Sequence, residues 1–563
     1  MRKIQLLISL FVIATLTVAP LTLVSCGDKD SEVITPTPEP KPEPQPKPND
    51  KNEGNGNESE PEPSDSNFNI AKIIFSPEDN PSLDTNVVIY PDANNTFSRR
   101  MYANKYINGK TYLMPVDIHN LVVKFESDAK AIYVNGIEHQ DGAAYDFRQP
   151  LTITAKADTG NEKGYTIALT HYTELPIMFI NLASGDEVKS RDEYEDATIE
   201  IWGCGDLPGL EKMSMQIHGR GNSSWDTFKK KPSYTISLES KQKLLGMPKH
   251  KKWVLIGNYR DKTLLRNNVA WWISDKLSGI KYTPRFQHVE LILNGTHRGV
   301  YQLVEQVRID NDRVDINEMK PTDTEGEAIT GGYIIELDRG YDSDQWVWTL
   351  PHLQGYSPRA SIKKPKIDES NEHQRAYIRN YLMTVDSLLG TSTDMSYVME
   401  RYIDMPSWAA QWLVFELSGT PEPNGPNSWY TYKDKSDDKW YCGPPWDFDY
   451  TSYIPSTANL WRNRDYVYQP QMRRYAPYRE ELIRQWEQIS GLLPDLITYI
   501  NEQRSYMRHS ANANWNMHEQ NLIDDNRREN GDEFIPSDEA IDRMIDYLQQ
   551  KWAFVESNIR NLE

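Results

Sequence analysis

Apolar positions alternate with polar ones in short runs over residues 68–172, as in "LVVKFES", "AIYVNGIEH", "PLTITAKAD" and "KGYTIALTHY", with Gly, Asp and Asn turns between them. That period of two predicts a β-sandwich. After Glu174 the runs "LPIMFINL", "ATIEIWG", "MSMQIHG", "SYTISLES", "KWVLIGN", "HVELILNG", "GVYQLVEQV" and "GGYIIELDR" predict further strands. The spacing then shifts toward 3.6. "LLRNNVAWWISDKLSG", "EHQRAYIRNYLMTVDSLLG", "MPSWAAQWLVFELSG" and "PSDEAIDRMIDYLQQKWAFVESNI" predict helices, three of them closing on glycine. Strands first and helices later give an α+β class.

Ahead of these elements the pattern fails. Residues 1–25 open on Arg2 and Lys3, run through "IQLLISLFVIATLTV" and close on "LVSC", which predicts a secretory signal too short for a permanent span. Cys26 follows directly, an arrangement similar to a bacterial lipobox, in which the thiol is acylated and anchors the chain to a membrane. Residues 26–67 alternate proline with charge and predict an extended tether, at about 3 Å per residue on the order of 100 Å long. The expected place is therefore the cell envelope, the outer membrane and its exposed face included.

Composition narrows the partners. A formal net charge of -20 repels a phosphate backbone, and the basic stretches "FKKK" and "KHKK" are short, so no nucleic-acid role is expected. With Cys26 assigned to lipid, Cys204 and Cys442 remain, far apart in sequence, and predict two isolated thiols and no zinc site. The GxSxG, HExxH, Walker and GxGxxG signatures are absent.

Five polar clusters remain. "HGRGNSSWDTFKKKPSY" sets Arg220 and Asn222 in a glycine turn ahead of Lys229, Lys230 and Lys231, either a phosphate-facing turn or a plain hairpin with a solvated basic strand. In "YRDKTLLRNN", Arg266 falls in the first turn of a helix that starts near Thr263, against the helix dipole, which calls for an anionic partner or a surface position. Glu305 stands on an apolar strand and needs a cation if buried. "SGTPEPNGPNSWYTYKD" places Glu422 five residues before Asn427, the offset between catalytic acid and metal-binding asparagine in protein kinases. In "PPWDFDYTSY", Asp447 and Asp449 share a face about 7 Å apart if the segment is extended, whereas a tight turn presents one of them.

In order along the chain, "GRGNSSW", "KKKPSYTISL", "LLGMPKHKKWVLIGNYRDKTLLRN", "YTPRFQHVELILNGTHRGVYQLVEQV", "GGYIIELD" and "PPWDFDYTSY" resemble the CotH (spore-coat protein H) kinase family. The resemblance implies an atypical protein-kinase-like domain over residues 173–563, behind a module over residues 68–172 that looks similar to the Ig-like spacers of surface lipoproteins. It implies ATP and Mg²⁺ or Mn²⁺ as cofactors and a protein serine or threonine as acceptor. Lys231, with Lys230 as neighbour, would meet the ATP phosphates, and Glu305 would orient that lysine. Arg220, Asn222 and Arg266 would complete the nucleotide-binding set. Asp447, Asp449 and Asn427 would hold the metal. The family usually has aspartate where Glu422 stands, so an inactive surface protein acting in adhesion or in glycan or protein binding is the alternative; its motivation is the expected lipid anchor, the long tether, the β-sandwich spacer and the 16 tryptophans and 32 tyrosines.

Overall fold

In a computed structural model, the described residues are 68–563, apart from 108–109, 117, 172–174, 222, 227–229, 340–345 and 526–529. The predicted signal, Cys26 and the tether lie outside them, as do Asn222 and Lys229. No helix among the described residues is long and apolar enough to cross a membrane.

The first part is all β. Strands Ile70–Phe75, Val87–Ile89 and Lys124–Ser127 form one sheet. A six-stranded sheet contains Thr96–Ile107, Leu151–Lys156 and Glu162–His171. Alternation supplies the core, because Leu151, Ile153 and Ala155 point inward while Thr152 is exposed. Phe75, Phe97, Ile153 and Ile167 meet in it, fully buried. His171, on the last of these strands, bonds Gly203 O through Nε2 at 3.2 Å and stacks on Trp202 of the next part.

A closed seven-stranded barrel follows. Its order is Ile177–Leu182, Glu195–Trp202, Leu210–Arg220, Ser233–Gln242, His250–Ile256, Thr296–Glu305 and Phe286–Leu293, closed by parallel pairing of the first strand with the last. Closure leaves the barrel no free edge. Its interior is apolar, with Ile180, Ile217, Ile236, Trp253 and Leu291 fully buried.

Beyond the barrel, a five-stranded sheet runs in the order Val347–Thr349, Arg359–Lys364, Tyr333–Leu337, Trp429–Lys433 and Tyr441–Cys442. Helices Glu372–Thr391, Met405–Ser418, Ala476–Ile489, Leu493–Asp525 and Ser537–Asn558 share one apolar core with it. The α+β reading holds, with a strand-rich first half and a helical C-terminal region. One refinement concerns the order: the strands Trp429–Lys433 and Tyr441–Cys442 return after the helix Met405–Ser418, so sheet and helices interleave. Cys204 and Cys442 are not joined in a disulfide.

Candidate active site

Two loops bring the acids together. Helix Met405–Ser418 stops at Gly419, whose φ of +62° is the left-handed cap that a residue without Cβ adopts readily. The turn that follows folds back on itself: Gly425 N and Asn427 N both donate to Glu422 O, at 3.1 and 2.9 Å. The five-residue offset is thereby closed into a loop, and the Asn427 side chain hydrogen-bonds that of Glu422. Tyr356 N and Ser357 N hold the outside of the loop through Asn424 O and Gly425 O.

The second loop leaves the strand Tyr441–Cys442. Trp271 Nε1 donates to Pro445 O at 3.0 Å, Phe448 N to Asn267 Oδ1 at 2.9 Å, and Asn530 Nδ2 to Asp449 O at 2.9 Å. These bonds hold an irregular turn, so the extended alternative for "PPWDFDYTSY" is set aside. Asp447 has φ +73°, a left-handed conformation that costs a non-glycine residue energy and clusters at functional sites. Its Oδ2 accepts from Ser428 Oγ at 2.9 Å.

Both acids nevertheless face one place. Burial first, then the neighbouring Asp447 and Asp261, push the Asp449 carboxyl well above the ordinary carboxylate range, and Asp447 and Asp449 hydrogen-bond each other. Two carboxylates this close disfavour a second negative charge, which is felt at Asp449. Glu422 is driven the same way: burial, and next the charge of Asp447, raise it to about 8, while the bond from Asn427 opposes the rise. Asp338 and Arg339, at the end of the strand Tyr333–Leu337, also act on Glu422. Glu422, Asn427, Asp447 and Asp449 therefore form one site.

The basic residues divide. Arg220 ends the strand Leu210–Arg220 and lays its guanidinium over Trp446 at 5.4 Å, one residue from Asp447. Lys230 is exposed, whereas Lys231 is buried with 2% of its surface exposed. Burial pushes the Lys231 ammonium down to about 7 against the opposing charges of Glu290 and Asp261. Asp261 also acts on Asp449, so one buried carboxylate links the lysine to the acid pair.

Two assignments are corrected. Glu305 is fully buried and does not orient Lys231; it accepts from Arg285 Nε and Nη2, both at 2.9 Å, and from Tyr282 OH at 3.1 Å. The cation that a buried acid requires is thus an arginine on the approach to the barrel's last strand. Arg266 has the carboxylate partners its position demands, Asp261 and Asp532, and also donates from Nε to Ser452 O at 3.3 Å. With 2% exposure and both ends of the guanidinium committed, Arg266 ties three loops together and does not face a nucleotide. Its helix starts at Arg266, where Asp261 Oδ2 accepts the first backbone N–H at 3.0 Å and offsets the dipole.

The donor set suits a hard divalent cation: two neighbouring carboxylates and an amide oxygen, all hard oxygen donors. Among the described residues no three His, Cys, Asp or Glu side chains are grouped to hold a metal by themselves. A separate cavity of about 210 Å³, lined by Tyr282, Arg313, Tyr432, Tyr441 and Pro444, opens between barrel and sheet at the start of the Asp447 loop.

Sequence reasoning missed Asp338, Arg339 and Ser428 as members of the site. Asp338 closes "GGYIIELD", so its signal was an acid at a strand end.

A strand barrel supplying a buried lysine, a helix-to-strand loop with an acid and an asparagine, and a hairpin ending on an acid pair define a kinase-like protein. The chain belongs to the CotH family: the family model described as CotH kinase protein matches residues 217–555, more than half of the chain. The match begins in the barrel strand Leu210–Arg220 and ends in the helix Ser537–Asn558. Among curated proteins none matches this chain.

Proposed function

We propose that this chain is an exported protein kinase, lipid-anchored at Cys26 and lifted off the membrane by its tether and β module, that uses ATP and Mg²⁺ or Mn²⁺. The γ-phosphoryl group passes to a serine or threonine of another protein. The observation that carries the reading is the convergence of Glu422, Asn427, Asp447 and Asp449 on one place, with Asp261 joining them to Lys231.

Roles follow from chemistry. Glu422 takes the proton of the acceptor hydroxyl as the oxygen attacks the γ-phosphorus and the bond to the leaving ADP oxygen breaks. Asp447, Asp449 and Asn427 would hold the divalent cation, which neutralises phosphate charge when bound. Ser428 fixes the Asp447 carboxylate through its hydroxyl. Lys231 offers its ammonium to phosphate oxygens, and Arg220, braced on Trp446, adds positive charge beside them.

The adhesion alternative drew on aromatic side chains. None of the sixteen tryptophans is exposed, and seven, among them Trp253, Trp408 and Trp429, are among the largest fully buried side chains, so their faces serve the core.

The test is transfer of label from γ-labelled ATP to a generic acceptor protein by the full chain, with Mg²⁺ or Mn²⁺ present. Asn adopts left-handed φ readily, so Asp447→Asn keeps the backbone while removing the charge. Transfer by wild type and loss in Asp447→Asn are expected; equal transfer by both ends the proposal.

A further inference from the structure

The buried ammonium of Lys231 is held from the far end of the chain. Its Nζ donates to Val300 O at 2.7 Å and to Asn514 Oδ1 at 2.6 Å, and it lies 5.2 Å from the Tyr301 ring. Asn514 comes from the helix Leu493–Asp525 and is fully buried. The same Oδ1 accepts a second donor, Val300 N, at 3.2 Å. Two donors converging on one oxygen fix the carboxamide, because a flipped amide would turn its NH₂ toward both of them.

The approach is built into the backbone. Gly299 has φ +83°, and a Cβ there would stand 2.4 Å from Asn514 Oδ1. Trp515 Nε1 donates to Lys262 O at 3.1 Å, and His518 Nε2 meets Arg298 O at 3.0 Å, so the residues around Asn514 pin the helix along the start of the strand Thr296–Glu305. Among the described residues Asn514 Nδ2 is buried with no hydrogen-bond partner, and Lys231 Nζ, which carries three N–H groups, has two acceptors, Val300 O and Asn514 Oδ1. An ammonium and an amide, each with a donor to spare, are side by side.

We propose that Asn514 is the positioning residue of Lys231, taking the place an acid such as Glu305 was expected to fill, and that it leaves one Lys231 N–H and its own Nδ2 for a phosphate oxygen. The second half of this assignment rests on the kinase reading. A neutral amide fixes the ammonium without neutralising it, so the positive charge stays available to an anion. Acids serve that purpose less well here: Glu290, closest in its effect on Lys231, is hydrogen-bonded to His297, and Asp261 is committed to Thr263 and Arg266.

The test uses the full chain as wild type, Asn514→Asp and Asn514→Leu, with matched melting curves as the check on folding. Amines are pulse-labelled with acetic anhydride from pH 6 to 10, and the labelling midpoint of Lys231 is read by peptide mass spectrometry. The charged or titratable groups facing Lys231 are Glu290 and His288 of one strand, Asp261 of the loop, Tyr301, and His518 of the helix, and all are unchanged. Asn514→Asp keeps the acceptor and adds a negative charge, so its midpoint rises by a pH unit or more. Asn514→Leu removes the acceptor, so its midpoint falls. A purely structural asparagine would leave the midpoint unmoved or shift it the same way in both variants, and either result overturns the assignment. If Asn514→Leu does not fold, an unmoved midpoint in Asn514→Asp is enough to overturn it. Calorimetry with Mg·ATP is the second arm: affinity about tenfold weaker in Asn514→Leu is expected. Absence of binding to wild type would end the kinase reading and the phosphate half of the assignment, and would leave the midpoint result standing for the positioning of Lys231.

Discussion

Arg339 donates from Nε to Oδ1 of Asn427 at 2.8 Å, so the amide oxygen assigned to a metal already meets a cation from the chain itself. The guanidinium is exposed, and its charge is felt by Glu422. A divalent ion using Asn427 must displace that bond and tolerate the neighbouring positive charge. Removing an exposed like charge is worth about 1 kcal/mol, roughly a fivefold gain in affinity. Arg339→Ala is therefore expected to bind Mn²⁺ about fivefold more tightly than wild type, measured by the loss of the free-ion paramagnetic resonance signal. Equal or weaker binding would place the ion away from Asn427.

Glu422 stands where the family resemblance leads one to expect aspartate, and its carboxyl is buried beside its own turn and the Asn427 side chain. A base seated there is lost differently by two substitutions. Glu422→Gln keeps the shape and removes the basic oxygen, and a drop in transfer of about 100-fold to 10,000-fold is expected. Glu422→Asp keeps the base but withdraws it by about 1 Å, for which about 100-fold is expected. Single-turnover transfer rates check both. An aspartate variant faster than wild type would show that the loop is built for the shorter acid and that this chain is a weakened form.

Glu305 belongs to stability, with no part in nucleotide binding. Arg285→Ala strips its bidentate partner and leaves a fully buried carboxylate with Tyr282 and, at 3.9 Å, Arg313. Stranding a buried charge typically costs about 3–5 kcal/mol; the side chain of Arg285 is 43% exposed, so about 2 kcal/mol is expected here. Urea unfolding measures it. Mg·ATP affinity is expected to stay within about twofold of wild type, and a tenfold loss with little change in stability would return Glu305 to the nucleotide site.

The contrast between Glu305 and Asp447 shows what could be read without coordinates. Periodicity placed the barrel strands and the helices Glu372–Thr391 and Ser537–Asn558 closely, since each buries one face and its pattern is local. Loop chemistry was equally local: the offset of Glu422 and Asn427 and the pair Asp447 and Asp449 are each contained in a single turn. Partners across the fold were not. Kinase chemistry pairs such an acid with a lysine, yet the cation of Glu305 is Arg285, 20 residues earlier and just ahead of the neighbouring strand. Asn514 lies 283 residues from Lys231, and an asparagine in a polar helix gives no sign of where its amide points. Arg266 was half legible, since its place at a helix start demanded an anion but did not say whether from a ligand or from Asp261 and Asp532.

Acid should loosen the barrel before it affects the surface. His288 is buried and held to about 4, chiefly by desolvation, and His250 is also at about 4 through burial and the nearby Arg313. An unfolded histidine titrates near 6.5, so between about pH 4 and 6.5 the unfolded chain binds more protons than the folded one, and stability rises with pH across that window. Their contribution is fully present above pH 6.5 and is lost as pH falls toward 4. At pH 5 His288 is expected to cost roughly 2 kcal/mol relative to pH 7.5, and the less deeply buried His250 less than that. Other groups titrate in the same range, so the informative quantity is a difference: His288→Gln cannot take up that proton on unfolding. Urea unfolding of the full chain at pH 7.5 and pH 5.0 is expected to show a smaller loss for His288→Gln than for wild type, by roughly 2 kcal/mol. An equal loss in both would mean that His288 is already charged in the folded barrel, in conflict with its burial against Phe286.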